Sequence, residues 1–177
     1  MDFSQYIGMQ TARGTIVVER APVSQFAKAI LDESPVYQNA ATAAANGFDG
    51  IPAPPTYGFI AQSWGKWAEL QPPPDPDAPQ PMMEVMGGLM SKGGMVLHGE
   101  QEFIYHDGRW PHVGDVLLGD GQISDVYEKE KSDGGKLEFY VTETTWRNEA
   151  TGEPVVTTKF TLAINCKPGA DEAKPLS

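Results

Sequence analysis

Hydrophobic spacing divides the chain into two halves. From Val96 onward, apolar and polar positions alternate in runs separated by glycine and aspartate turns, the period of half-buried strands. The first run is Val96 to Tyr105, closed by His106-Asp107-Gly108. The second is Val116 to Glu128, long enough to need a bend near Gly119 or Gly121. After the turn Ser132-Asp133-Gly134-Gly135, the stretch Leu137 to Arg147 sets Leu137, Phe139 and Val141 against Glu138, Tyr140, Thr142, Thr144 and Trp146. Ala150 to Pro154 turns the chain again, and Val156, Thr158, Phe160, Leu162 and Ile164 make one face of a last strand.

The first half has mostly helical spacing. A short β-branched strand is expected over Thr15 to Glu19. Pro22 suits a first helical turn. Phe26, Ala27, Ile30 and Leu31 follow at helical intervals, and Pro35 ends that helix by disfavouring helical geometry at Ser34. A second, alanine-rich helix is predicted from Tyr37 to Asn46, with Gly47 as its C-cap. Thr56 then serves as N-cap of a longer helix over Tyr57 to Leu70, whose stripe is Tyr57, Ile60, Ala61, Trp64, Trp67 and Ala68. Gly58 and Gly65 share one face of it. Each costs about 1 kcal/mol relative to alanine, a cost tolerated where another backbone comes close. The order is one strand, helices, a long central helix and a four-strand antiparallel meander. It predicts an α+β fold with the sheet wrapped around that helix.

This layout occupies residues 1–166 as a single domain, interrupted by an excursion at 71–95. Gln71 to Pro81 is proline-rich and acidic, and Met82 to Met95 carries five methionines among glycines. The tail 167–177 is polar, has no core face, and is expected to be disordered.

Composition narrows the partners. The formal net charge is -11 and the pI near 4.6, which argues against nucleic acid or an anionic membrane. A small anionic ligand needs only a few local cations and is not excluded. Cys166 is the only cysteine, so neither an internal disulfide nor a thiolate metal cluster is available, as suits a reducing cytoplasm. The first ten residues lack the basic start and apolar core of a signal peptide, and no apolar run approaches a membrane span. His106, Asp107 and His112 flank one turn, but no second ligand cluster accompanies them, and no metal is expected.

Four pieces in order carry a resemblance: D-E-S-P-V-Y at 32–37, I-P-A-P-P-T-Y at 51–57, H-G-E-Q-E-F-I-Y at 98–105 and V-G-D-V at 113–116. They resemble the MaoC-like dehydratases and hydratases of the hot-dog fold, and within them the N-terminal-domain subfamily, over roughly Gly14 to Cys166. Catalytic members of that family carry D-x-N-P-x-H. Their Asp and His add water across the trans-2 double bond of an enoyl thioester or remove it, and a glycine N–H at the head of the central helix holds the thioester oxygen. Here Asp32 and Pro35 match, Ser34 stands for the Asn and Tyr37 for the His. Ala53-Pro54-Pro55 falls at the glycine turn, and Pro55 has no N–H to give.

The resemblance therefore implies a substrate-binding hot-dog that has given up the chemistry. It would pair with a separate catalytic MaoC-like chain as a heterodimer or heterotetramer. The cargo would be a long fatty acyl group or a steroid side chain, presented on CoA or an acyl carrier, with no other cofactor. Asp32, Tyr37, Pro54, Pro55, Thr56 and His98 would line or border the pocket. Lys92, Arg109 and Lys129 are the candidates for CoA phosphates, and the methionine-rich stretch is either a loose cover over the core or a flap along an acyl tunnel. Bland alternatives stand beside these roles: Asp32 as a helix cap, Tyr37 as a buried phenol, His98 as a structural histidine. Two other functions fit the same residues. One is an active homodimer using Asp32 with Tyr37 or His98, and the other is an acyl-CoA-binding module without turnover. Thioesterase chemistry is also known on hot-dogs.

Overall fold

The computed structural model describes residues 4–73 and 95–166, with Met83 and Gly87 between them. Most of the predicted excursion, including Lys92, and the predicted tail lie outside the described residues. Five strands, β1 (Gln10–Val17), β2 (Met95–Tyr105), β3 (Val116–Glu130), β4 (Lys136–Asn148) and β5 (Pro154–Cys166), form one antiparallel sheet in the order β1-β3-β4-β5-β2. Three short α-helices precede the second strand: α1 (Arg20–Ala29), α2 (Ala40–Ala45) and α3 (Gly58–Trp64).

The long β3 is bent by a bulge between Ile123 and Asp125, opposite Thr142 and Val141 of β4. The bulge keeps both ends of the strand facing one way: Leu117 and Ile123 before it and Val126 after it all point to the core side. α3 lies against that side. Tyr57 and Ala61 are buried among Ile16, Val18, Leu117, Trp146 and Val156. Gly119 leaves the space that the Trp146 ring fills, since a Cβ there would come within 2.5 Å of it. Each large side chain fully buried in this cluster contributes about 1.5–3 kcal/mol.

Several predicted boundaries move. β1 starts at Gln10 rather than Thr15 because it is defined by pairing with β3, Gln10 opposite Gln122 through Val17 opposite Val116. α1 ends at Ala29, five residues before the serine that Pro35 restricts. Its end is a Schellman motif: Leu31 N–H donates to Lys28 O (3.1 Å) and Asp32 N–H to Ala27 O (2.9 Å). The helix predicted over 37–46 splits into a 3₁₀ turn (Pro35–Tyr37) and α2, which Asn39 caps by accepting from Thr42 N–H at 3.0 Å. Gly47 takes the left-handed conformation that a C-cap requires, φ +86°.

The central helix is shorter than predicted. It runs over Gly58–Trp64, its N-cap is Tyr57 rather than Thr56, and Leu70 belongs to a separate 3₁₀ turn (Ala68–Leu70). The cause is Gly65. Its carbonyl accepts the Val17 N–H at 2.8 Å, and a Cβ at this position would overlap the Val17 carbonyl oxygen. The chain leaves the helix axis there and runs along β1. Gln71 fastens it: its side-chain amide accepts from Thr15 N–H (3.1 Å) and donates to Thr15 O (2.9 Å) and Trp67 O (2.7 Å).

On β4 the buried residues are Glu138, Tyr140 and Trp146, while Leu137, Phe139 and Val141 are only half-buried. Glu138 reaches the inside because the Tyr140 hydroxyl donates to its carboxylate at 3.0 Å. Burial and the adjacent Glu138 charge raise the Tyr140 phenol far above its ordinary value.

Candidate active site

Two segments build the predicted site. The first is the turn after α1. Leu31 sits in left-handed geometry at φ +59°, normally a glycine position, with 86% of its surface exposed. Asp32 follows, and its Oδ1 accepts the Ser34 N–H at 3.0 Å, which starts the 3₁₀ turn. Arg20 of α1 reaches across and donates to the carbonyls of Tyr37 (2.8 Å) and Gln38. The Ser24 hydroxyl donates to the Gln38 side chain at 2.7 Å. These bonds bring the Tyr37 phenol back to Asp32. Burial pushes its pKa above the ordinary 10, and the charge of Asp32 and the hydrogen bond to it push it further.

The second segment is 51–57, held from both sides. Pro52 bridges to His112, and the Ala53 N–H donates to Pro111 O at 2.8 Å. The Trp110 indole donates to Ala53 O (2.6 Å), and the Tyr105 hydroxyl donates to Pro55 O (2.5 Å). The two rings stack, 4.2 Å between centroids and 7° between planes. Pro54 is buried and its carbonyl accepts the Tyr57 N–H at 2.9 Å, whereas Pro55 and Thr56 are exposed. The two segments meet where Phe26 of α1 packs edge-on against the Tyr57 ring, 6.0 Å between centroids. Tyr105 is pushed up to about 12, by burial first and then by the neighbouring Tyr37.

Asp32, Tyr37 and the 53–56 segment are thus brought together. Ala53 N–H is committed to Pro111, and Pro54 and Pro55 have none, so the turn at 53–55 offers no N–H to an oxyanion. Tyr105, Trp110 and Arg20 complete the site without having been singled out by sequence. The only available signal was that Tyr105 ends one of the four matching pieces and Trp110 sits in the turn after it.

The other candidates lie elsewhere. His98 packs edge-on to Phe160 (4.8 Å) and beside Phe59 (5.3 Å). Seven residues of β2 separate it from Tyr105, roughly 20 Å along a strand. Within one chain His98 therefore lies toward the opposite end of β2 from Tyr105. Arg109 is held by Glu153 through two nitrogens (3.0 and 2.8 Å) and by Asp107 (2.8 Å). Lys129 lies over the stacked Tyr127 and Phe139 rings, 5.8 and 5.4 Å from their centroids. Both cations are engaged with these groups rather than with Asp32 or Tyr37. Among the described residues no three His, Cys, Asp or Glu side chains gather in a way that could hold a metal ion. None of the helices there is long and apolar enough to cross a membrane.

The Phe59 and Phe160 rings that His98 touches line a groove between α3 and the sheet. The groove measures about 440 Å³ and is lined by Phe59 and Ile60 from the helix and by Thr142, Thr158, Phe160 and Gln101 from the strands. The Thr142 and Thr158 hydroxyls turn toward backbone carbonyls, 3.4 Å from Phe160 O and 3.5 Å from Thr144 O.

The model of the FAS1-like dehydratase domain region matches residues 5–158. The chain belongs to this family of MaoC-like hot-dog proteins. A UPF0336 protein of Saccharopolyspora erythraea is 30% identical over 145 residues, covering 82% of this chain and 79% of that protein. Among solved structures, the ChsH1-ChsH2 complex of Mycobacterium tuberculosis matches with a TM-score of 0.64 at 22% identity, over 90% of this chain and 85% of that one. The C-terminally truncated HadBC (3R-hydroxyacyl-ACP dehydratase) complex from the same organism gives 0.61 at 19%, over 89% and 98%. The R-hydratase PhaJ1 of Pseudomonas aeruginosa gives 0.53 at 18%, over 97% and 91%. These likenesses establish the hot-dog fold, and two of the three structures are complexes of two different chains.

Proposed function

We propose that this MaoC-like chain is the substrate-holding, non-catalytic member of a pair of hot-dog chains that hydrates trans-2-enoyl thioesters or dehydrates 3-hydroxyacyl thioesters. Its cargo is a long or bulky acyl group, fatty or steroid, on CoA or an acyl carrier. The observation that carries this reading is the Asp32–Tyr37 pair beside a turn without a free N–H. A phenol raised above pKa 10 is ionised in fewer than about one molecule in a thousand at pH 7, so Tyr37 cannot act as the base. A missing general base costs about 10²–10⁴ in rate. A missing oxyanion donor costs about 10²–10³. Together they put the chain alone at least roughly 10⁴ below a complete hydratase. The heteromeric HadBC and ChsH1-ChsH2 neighbours support a second hot-dog chain as the partner.

The test is the loss of conjugated-enoyl absorbance of a trans-2-enoyl-CoA. It is run with this chain alone, with a co-expressed MaoC-like chain carrying D-x-N-P-x-H, and with both. Turnover that needs both chains, or whose acyl-length preference changes when this one is added, supports the proposal. Enzyme-like turnover by this chain alone overturns it. Ligand-induced stabilisation with no turnover in any mixture replaces it with a binding module.

A further inference from the structure

The groove under α3 does not end at its apolar wall. Gln62 and Thr144 line both it and a smaller adjoining recess of about 40 Å³, whose other walls include Arg13, Lys66, Gly14 and Trp146. β1 contributes to both spaces, with Thr11 in the groove and Arg13 in the recess. One end of the combined space is therefore lined by Phe59, Ile60 and Phe160, and the other by two cations.

Lys66 is placed there by structure. Gly65 on one side is bonded to Val17, and Gln71 on the other is bonded to both backbone groups of Thr15. The Lys66 stem consequently lies over Gly14, where a Cβ would meet its Cε at 3.9 Å. Among the described residues Lys66 forms no ion pair. Arg13 has one, a 3.6 Å contact to Asp120 between two side chains each more than 60% exposed, at the weak end of such pairs. Two adjacent and largely unspent cations are unusual in a chain of net charge -11, and they sit where a ligand lying along α3 would end.

We infer that this groove takes an acyl group whose far end carries an anion, a carboxylate in the first instance. The apolar body lies against Phe59, Ile60 and Phe160, and the carboxylate lies between Arg13 and Lys66. The inference rests on the acyl-binding reading of the chain and adds the chemical character of the cargo. A seven-residue helix is about 10 Å long, which matches an alkyl chain of about 8–10 carbons.

The test is titration calorimetry of the full chain with decanoyl-CoA, 9-carboxynonanoyl-CoA and CoA itself. Variants are Arg13→Gln, Lys66→Gln and Lys66→Arg, all at exposed side chains that leave the core intact. The ω-carboxy thioester is expected to bind several-fold to about tenfold more tightly than decanoyl-CoA, the scale of two partly exposed charge pairs. Lys66→Gln with Arg13→Gln should erase the preference, Lys66→Arg should keep it, and added salt should shrink it. Equal affinity for the two thioesters, unchanged in the variants, overturns the inference while leaving acyl binding in place. Binding of CoA alone that is lost in Lys66→Gln also overturns it, because the cations would then read the carrier's phosphates. No binding of either thioester, with or without the catalytic partner, removes the acyl-binding reading and this inference together.

Discussion

Replacing Gly65 with alanine isolates the contact that ends α3. The backbone there, φ -99° and ψ 3°, is open to alanine, so the penalty is steric and not conformational. The added Cβ would overlap the Val17 carbonyl oxygen and lie 3.2 Å from the Ala61 carbonyl. Both obstacles are backbone and both neighbours are fixed. Gly65 N–H donates to Ala61 O at 2.8 Å, and Val17 N–H donates to Gly65 O at 2.8 Å. Relief requires β1 to move away from α3. One or two hydrogen bonds then weaken, at about 0.5–1.5 kcal/mol each. Packing around Ile16, Val18 and Ala61 loosens for about 1–3 kcal/mol more. A total of about 1.5–6 kcal/mol follows, or a fall in Tm of roughly 3–24 °C for a chain of this size. Thermal and urea unfolding measure it, with Gly47→Ala as the control. Gly47 has φ +86° and nothing within 4 Å of the would-be Cβ, so its change costs only the left-handed backbone, about 1–2 kcal/mol. If Gly65→Ala costs no more than Gly47→Ala, the close approach of β1 is not what stops the helix.

Two further outcomes follow from the phenols. Tyr105→Phe removes the donor to Pro55 O but keeps the stack on Trp110; because Pro55 is exposed and water can replace the bond, the unfolding free energy should fall by about 1 kcal/mol, read as a lower urea midpoint at unchanged m-value. A loss several times larger would mean the hydroxyl holds more than the 53–55 turn. Tyr57 and Tyr105 titrate near 12 in the folded chain against about 10 unfolded, both raised chiefly by burial. The folded state keeps these protons longer, so their contribution to stability is whole below pH 10 and disappears as pH climbs through 12. Tyrosinate absorbance and far-ultraviolet circular dichroism recorded together should show part of the phenol titration waiting for loss of the sheet. Complete phenol titration near pH 10 in a still-folded chain would contradict the burial assignment.

Strands were legible because their signals are local. Alternation over β2, β3 and β5 and the turns at Gly108, Gly134 and Gly152 placed the strands to within a few residues. The Asp32–Tyr37 pairing was legible for the same reason, since five positions of chain and one proline set it. The expected four-strand meander is corrected: only β3, β4 and β5 follow one another in the sheet, and β2 pairs with β5 instead of β3, a long-range choice that local alternation does not encode. The misplaced features depend on residues far away in sequence. The end of α3 is decided by Val17, nearly fifty positions earlier, and the helical stripe through Trp67 carries no trace of it. Tyr105 and Trp110 close on the 53–55 turn from some fifty positions later. On β4 the alternation alone left open which side is the core; Leu137, Phe139 and Val141 are only half-buried, and burial falls on Glu138 and Tyr140, which satisfy one another.

The pairing of β1 sets the order in which the fold can close. Its partner β3 lies more than a hundred residues further along the chain, Gln10 opposite Gln122. During synthesis β1 therefore leaves the ribosome without its sheet neighbour, and it waits for about a hundred further residues before β3 can accept its hydrogen bonds. Long-range closure of this kind slows folding and prolongs the exposure of an unpaired strand. The same strap of residues 65–71 that docks on β1 is made well before β3. That strap bonds β1 at Val17 and Thr15, so the groups β1 turns toward residues 65–71 have partners whose synthesis does not wait for β3.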